Sequence, residues 1–308
     1  MEKSAQRVKV VLIAGYGRSG STLLDLLLGQ IDGFFSAGQV QGWARNFHQN
    51  WLCGCGKPLR TCEVWRAVAE EALGDIEKSE RVAALQRSVA SPRHLPRILC
   101  PVKTQSYRER LEQYSALLLE LYRAIRKVSA SRVIVDSSKV PAHALILNRM
   151  PEIDLRVIHL VRDSRAVAFS ASRKKPNPGV HWDKAYTRTY TPVRAALGWS
   201  YTNFCTHMLR YVTPHYTFVR YEELAADPSA TLSRLLATLG EPASALALEG
   251  RRIEFKRNHT CSGNVMRFQR GPIEIVPDTE WVGKMKKGNR LLATALSWPL
   301  LLRYAYLK

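Results

Sequence analysis

One segment, Val8–Gln30, limits the folds open to this chain: VKVVLIA, then GYGRSG, then STLLDLLLGQ. The first run is apolar apart from Lys9 and rich in β-branched side chains, and reads as a strand buried on both faces, as in parallel sheets. The last run reads as an apolar helix over Ser21–Gln30 that opens on two hydroxyl residues and is closed by Gly29 and Gly33. A strand, a glycine turn and a helix in direct succession begin a βα unit. Its strand then needs parallel partners from further along the chain.

Three such partners are predicted. Arg132–Asp136 (RVIVD), Leu155–Val161 (LRVIHLV) and Thr217–Tyr221 (TFVRY) read as short buried strands. Helices are predicted over Ala142–Met150, over Ser164–Arg173, and after Pro228 through Leu239. Alternation of this kind predicts an α/β fold with a parallel sheet covered on both faces. About a hundred residues separate the first two strands, and Val64–Leu73, Arg81–Ser88 and Tyr107–Lys127 within them read as helical. The expectation is one domain over 1–308, with a P-loop-like parallel sheet flanked by helices. A helical insertion of about 43–130 follows the first βα unit, caps the sheet and shapes a cleft. Lys174–Pro192, with three prolines and several aromatics, reads as an ordered or lid-forming loop. Leu291–Leu307 reads as an apolar segment packed on the body.

Of 308 residues, 46 are Lys or Arg and 26 Asp or Glu, a formal charge of +20. Nucleic acid, an anionic membrane and a phosphorylated small molecule all satisfy such a balance. The cations are spread along the chain with no basic block, which favours a focused anion pocket over a nucleic-acid tail. No apolar run reaches membrane-spanning length. The polar start and the short Val8–Ala14 run do not read as a secretory leader, so a cytoplasmic protein without stable membrane insertion is expected.

In the turn Gly15-Tyr16-Gly17-Arg18-Ser19-Gly20-Ser21-Thr22, the glycines let the backbone approach an anion, and successive N–H groups can converge on it. The helix N-terminus adds its positive dipole end, and Ser21 and Thr22 add hydroxyl donors. A plain strand-to-helix turn with hydroxyl caps is the bland alternative. Three glycines, Arg18 and two hydroxyls together favour a phosphate cradle made by Gly17, Arg18, Ser19, Gly20, Ser21 and Thr22. Ser21 stands where an NTPase loop has its Lys, so the loop suits one terminal 5′-phosphate and no metal better than a Mg²⁺-bound triphosphate. A second anion motif closes the Leu155–Val161 strand. Arg162 stands at its carboxyl edge, where open α/β sheets bind ligands. Ser170, eight positions on, lies on the next helix, and cation and hydroxyl can share one phosphate. A salt-bridged Arg162 below an Asp163 helix cap is the alternative there.

Taken together, these motifs resemble the sulfotransferases that use 3′-phosphoadenosine 5′-phosphosulfate (PAPS), especially bacterial members. GYGRSGSTLL and LVRDSRAVAFSASR are similar to the family's 5′-phosphosulfate loop and its 3′-phosphate motif. FVRYEELAADPSATLSRLLATLG is similar to a third signature, which implies that Tyr221 lies near the adenine. NHTCSGNVMRF with Gln269-Arg270-Gly271 resembles the C-terminal loop, which implies that Arg267, Arg270 and Gly271 close over the 3′-phosphate within a cofactor-closing segment of about 255–308. The resemblance also implies PAPS as co-substrate and a small-molecule, lipid or carbohydrate acceptor. Asp136, at a strand end where relatives of the heparan type carry a Glu, is the first candidate for the acceptor's base, with a helix cap or a structural carboxylate paired with Lys139 as the alternative. Lys139 is a candidate for stabilising the transferring group. Gln39 stands where other relatives place a catalytic Glu, and His143, His181 and His259 are reserve bases. Two other readings stay open: a P-loop kinase or NTPase with Val133–Asp136 holding Mg²⁺, and a basic nucleic-acid-binding protein.

Trp43, Phe47, Trp182 and Tyr186 are candidates to line an apolar acceptor cleft, and each could equally belong to the core. Cys53-Gly-Cys55, Cys62 and the upstream His48 form the one cysteine cluster. Three sulfurs and an imidazole complete a tetrahedral zinc shell. However, Cys-x-Cys is not the usual knuckle spacing, so a thiol cluster or a local disulfide is the expected state and no metal is assigned.

Overall fold

A computed structural model describes residues 7–242 and 250–307. The apolar run Val8–Ala14 forms β1, the glycine turn follows it, and α1 spans Ser21–Leu28. β2 (Phe34–Gly38) comes next, and then an insertion of five helices: α2 (Trp43–His48), α3 (Glu63–Leu73), α4 (Lys78–Val89), α5 (Leu95–Leu99) and α6 (Gln105–Ser129). After it come β3 (Val133–Lys139), α7 (Pro141–Leu147), β4 (Ile153–Val161), α8 (Ser164–Ser172), α9 (Pro192–Met208) and β5 (Tyr216–Arg220). The remainder is α10 (Tyr221–Ala226), α11 (Pro228–Leu239), β6 (Arg252–Phe255), β7 (Gly271–Glu274), α12 (Glu280–Lys284) and α13 (Lys287–Arg303). The main sheet is parallel throughout, in the order β2-β3-β1-β4-β5, and β6 and β7 pair separately as an antiparallel ribbon.

Period-two geometry explains why β1 is apolar at every position but Lys9. Val10, Leu12 and Ala14 belong to a core shared with the insertion and α7, whereas Val11 and Ile13 belong to a core shared with α1, α10 and α11. Both faces of the strand are therefore buried from Val10 onward, and its one polar side chain, Lys9 near the start, is satisfied by Glu241 and the Leu239 carbonyl. The insertion's aromatics Trp43, Phe47, Trp65, Tyr107, Tyr114 and Tyr122 fill the first core. Trp43 and Phe47 take the core alternative: they pack ring on ring at 5.2 Å with no exposed surface.

Among the elements absent from the sequence reading are β2 and α9. β2 comes from FFSAG, too short and too weakly patterned to read as a strand, and it adds the fifth, edge strand beside β3. α9 buries Ala195, Ala196, Trp199, Asn203 and Thr206. That stripe recurs every three or four residues but is small or polar at most positions, so hydrophobic periodicity does not reveal it. α13 packs on α9 and α8, as expected of an apolar tail, and carries Pro299 within the helix. Among the described residues, no helix is long and apolar enough to cross a membrane.

Candidate active site

β1 and β4 are neighbours in the sheet, so the glycine turn and Arg162 leave it side by side at its carboxyl edge. The turn is built close against both. Gly15 has φ +133°, and a Cβ there would lie 2.4 Å from the Leu160 carbonyl oxygen. Gly20, the residue before α1, has φ +86°, and its Cβ would lie 2.5 Å from the Tyr221 ring. Only glycine fits either place. Arg18 holds φ +68°, an unfavourable conformation for a residue with a Cβ, and its guanidinium donates to Thr187 Oγ1 at 2.9 Å. Strain of this kind, of order 1–3 kcal/mol, persists where surrounding structure fixes the residue.

Arg162 joins the two motifs directly. Its Nη1 donates to the Arg18 carbonyl at 3.3 Å, and its guanidinium lies over the Tyr221 ring at 4.6 Å. Tyr221 is thus wedged between Gly20 and Arg162. On the other side, Arg162 pairs with Asp278 at 2.9 Å, while its buried Nε has no protein partner.

Between these groups lies a cavity of about 360 Å³, within the range of small-ligand sites. Gly17, Arg18, Gly20, Ser21, Thr22, Arg162, Ser170 and Tyr221 all border it, together with Lys139. Sequence reasoning missed Lys175, Asn177 and Thr187 from the 174–192 loop, Asn264, and Asp278. The proline-rich composition of that loop was the only signal for the first three, and an acid in a short PDTE stretch gave none for Asp278. Four cations border the cavity (Arg18, Lys139, Arg162 and Lys175) against one carboxylate, Asp278. Burial, then repulsion from Arg18, draws Lys175 below the usual lysine value. Burial draws Lys139 down to about 8. A polyanion in the cavity would relieve both.

Several expected site residues lie elsewhere. Asp136 is wholly buried and borders no part of the cavity. Its Oδ2 accepts from Tyr122 Oη at 2.6 Å and lies 2.9 Å from His143 Nε2. Its Oδ1 accepts from the Ser138 amide and hydroxyl and from the Val40 amide. Burial raises its pKa, but the His143 contact, Ser138 and Tyr122 outweigh that and hold it below the ordinary carboxylate value. Such a group has neither the access nor the basicity of an acceptor-side base, which corrects that expectation. Of the reserve bases, His143 is the buried partner just described, His181 lies 3.0 Å from the Asn50 carbonyl on the surface, and His259 stands among the cysteines. Gln39 does border the cavity.

Arg267, Arg270 and Gly271 do not border it either. Arg267 is buried and donates to the Gly263 and Leu52 carbonyls, and Arg270 donates to the carbonyls of Arg267, Gln269 and Gly54. Gly271 begins β7. They brace the segment that reaches the cavity through Gly263 to Met266, where the Asn264 amide donates to Thr22 Oγ1 at 3.0 Å. Trp182 and Tyr186 are half-exposed on the 174–192 loop and lie outside the cavity wall.

A sulfotransferase-family model matches residues 11–245. No curated protein matches the chain. Over its full length the structure is similar to the "Sulfotransferase Domain from the Synechococcus PCC 7002 Olefin Synthase", at 21% identity and a TM-score of 0.53, covering 97% of this chain and 96% of that one. It is also similar to the "Sulfotransferase Domain from the Curacin Biosynthetic Pathway", at 17% identity and a TM-score of 0.47, covering 95% and 98%. The match to the family model spans the sheet, the glycine turn, Arg162 and Tyr221, and the chain belongs to the sulfotransferase family.

Proposed function

We propose that the protein transfers a sulfuryl group from PAPS to a hydroxyl or amine of a small-molecule, lipid or carbohydrate acceptor, releasing adenosine 3′,5′-bisphosphate. The observation that carries this reading is one cavity, between neighbouring strand tips, with four cations and a single paired carboxylate on its wall. A donor with an anionic group at each end of a nucleoside fits that wall. Arg162 Nε, buried and unpartnered, supplies a ready donor for one end. The turn amides, Arg18, Ser21 and Thr22 supply the other.

In this scheme the donor brings an activated sulfur whose bond to the 5′-phosphate breaks as the acceptor oxygen or nitrogen bonds to it and gives up its proton to solvent. The protein's part is to position and to stabilise charge. Arg18 and the α1 N-terminus hold the 5′-phosphate as it leaves. Arg162 and Ser170 hold the 3′-phosphate, with Tyr221 bracing Arg162 from behind. Lys139, at φ +69° on the β3 tip beside the turn, presents its ammonium where the transferring group carries charge. Asp136 acts as a positioning residue. By holding Ser138 and Val40 it fixes the bend that aims Lys139 and Gln39.

The acceptor is read by incubating the protein with ³⁵S-labelled PAPS and a panel of hydroxylated and amine metabolites, then identifying the labelled product. Labelled product that forms without Mg²⁺ supports the reading, and ATP-dependent phosphorylation in its place refutes it.

Two further outcomes follow from the cavity's charges. Lys139 is protonated below about pH 8 and only that form attracts an anion. Affinity for adenosine 3′,5′-bisphosphate therefore holds steady below about pH 8 and falls by up to about tenfold per unit above it. Lys139→Met binds more weakly and loses that slope, and titration calorimetry from pH 6 to 10 compares the two. Asp278 occupies Arg162 in the free protein, as the ligand's 3′-phosphate would. Asp278→Asn should tighten binding about 3- to 10-fold, in line with removing one partly exposed like-charged competitor. Weaker binding by this variant would mean that Asp278 orients Arg162 rather than competing for it.

A further inference from the structure

Outside the cavity, the densest chemistry in the molecule lies where the insertion meets the segment after β6. The sulfurs of Cys53, Cys55 and Cys62 converge there with an imidazole that is not the upstream His48. It belongs to His259, 197 residues beyond Cys62. All four ligand atoms lie within 4.8 Å of one another.

The separations are those of a coordination shell. Cys53 Sγ and Cys62 Sγ are 3.6 Å apart, and Cys55 Sγ and Cys62 Sγ 3.8 Å. His259 Nδ1 lies 3.3 Å from Cys62 Sγ and 3.9 Å from Cys53 Sγ. A tetrahedral Zn²⁺ with Zn–S of about 2.3 Å and Zn–N of about 2.0 Å has S···S edges of about 3.8 Å and S···N edges of about 3.5 Å. A disulfide instead needs two sulfurs at about 2.05 Å, and it would leave the third thiol and the imidazole without a purpose.

Hydrogen-bond donors and a cation also face the sulfurs. The Cys55 amide donates to Cys53 Sγ at 3.5 Å, the Lys57 and Trp65 amides donate to the Cys55 and Cys62 sulfurs, and the Arg257 guanidinium lies against Cys55. One cation beside the cluster balances the net charge of −1 that three thiolates leave on a divalent ion. On the far side of the imidazole, Glu63 Oε1 lies 3.9 Å from His259 Nε2, placed to orient a ring that ligates through Nδ1. Cys53 and Cys62 are fully buried and all four positions are taken by protein, which describes a closed structural site, not a catalytic one.

We propose that Cys53, Cys55, Cys62 and His259 bind one Zn²⁺ tetrahedrally and that this knot fastens the 256–270 segment over the α1 N-terminus. Soft sulfur ligands with one imidazole select zinc over the hard divalent ions. Binding releases the thiol protons to solvent and changes no oxidation state. From the knot the chain runs through Thr260, whose hydroxyl lies 3.0 Å from Ser36 Oγ, to Asn264 on Thr22. Gly54, inside the cysteine loop, donates to the Thr260 carbonyl at 2.9 Å. The metal thus ties the insertion to a segment that reaches the phosphate turn from outside the sheet.

The test uses the full chain, produced with zinc present and purified without chelator under reducing conditions. Elemental analysis is expected to find about one zinc per chain, released when a mercurial blocks the thiols. Exchange with Co²⁺ should give the intense visible bands of a tetrahedral ion together with thiolate charge transfer in the near ultraviolet. His259→Ala and Cys62→Ser lose the metal, and His48→Ala keeps it. Stripping the zinc should raise amide exchange in 256–270 by at least about tenfold. Because variants at the knot can fail to fold, metal content and the cobalt spectrum of the unaltered chain decide the matter. Less than a tenth of an equivalent of zinc after reconstitution, a cobalt spectrum without thiolate charge transfer, or a disulfide within the trio under reducing conditions overturns the proposal. None of these readouts depends on the identity of the donor.

Discussion

Arg18→Ala is expected to lower turnover by about two to three orders of magnitude, the usual effect of removing one preorganised donor from developing negative charge. The argument rests on where the guanidinium stands. Arg18 lies in the left-handed region within the phosphate turn, one bond to Thr187 steadies it, and its other donors border the cavity beside Lys139. Burial draws its pKa below the usual arginine value, so the folded protein bears a cost for keeping that charge there. A leaving phosphate returns it. Backbone relaxation is separable from charge, because glycine suits a φ of +68° better than arginine does. Arg18→Gly should therefore match Arg18→Ala in lost turnover while unfolding no earlier than the unaltered protein. Steady-state rates with PAPS and the identified acceptor check this, and unchanged rates in both variants would remove Arg18 from the chemistry.

Arg162→Ala is expected to act on binding instead. Charge-assisted hydrogen bonds from a buried guanidinium to a phosphate contribute about 1.5–3 kcal/mol each. Losing them should raise the KM for PAPS by about one to two orders of magnitude, with kcat reduced less than about tenfold because the sulfuryl end is untouched. The variant also frees Asp278 inside a cationic cavity and removes the cation from the Tyr221 ring. Arg162→Lys keeps the charge but not the planar fork, and should recover only part of the affinity. A large fall in kcat at unaltered KM would place the 3′-phosphate elsewhere.

The sheet was legible because its strands are buried on both faces, which leaves mostly apolar, β-branched runs in VKVVLIA and RVIHLV. The glycine turn was legible because Gly15 and Gly20 answer local backbone demands visible in sequence. What escaped prediction depends on contacts between distant residues. Nothing in RVIVDSSK says that Asp136 points away from the cavity toward Tyr122 and His143, since a strand tip offers two faces and tertiary packing chooses between them. Arg267 and Arg270 follow a loop motif, but carbonyls of Leu52, Gly54 and Gly263 take up their donors. His48 is the nearer imidazole in sequence and His259 the nearer in space, because the chain returns to the cysteine loop only after β6.

The central claim is that one cavity between the tips of β1 and β4 holds both ends of a bisphosphorylated nucleoside. Calorimetric titration with adenosine 3′,5′-bisphosphate and with 5′-AMP, in the absence of magnesium, tests it most directly. The account predicts a single site per chain that binds the bisphosphate at least about a hundredfold more tightly than the monophosphate, a gap of about 2.7 kcal/mol. Equal affinities, or a clear preference for magnesium-bound ATP, would contradict it.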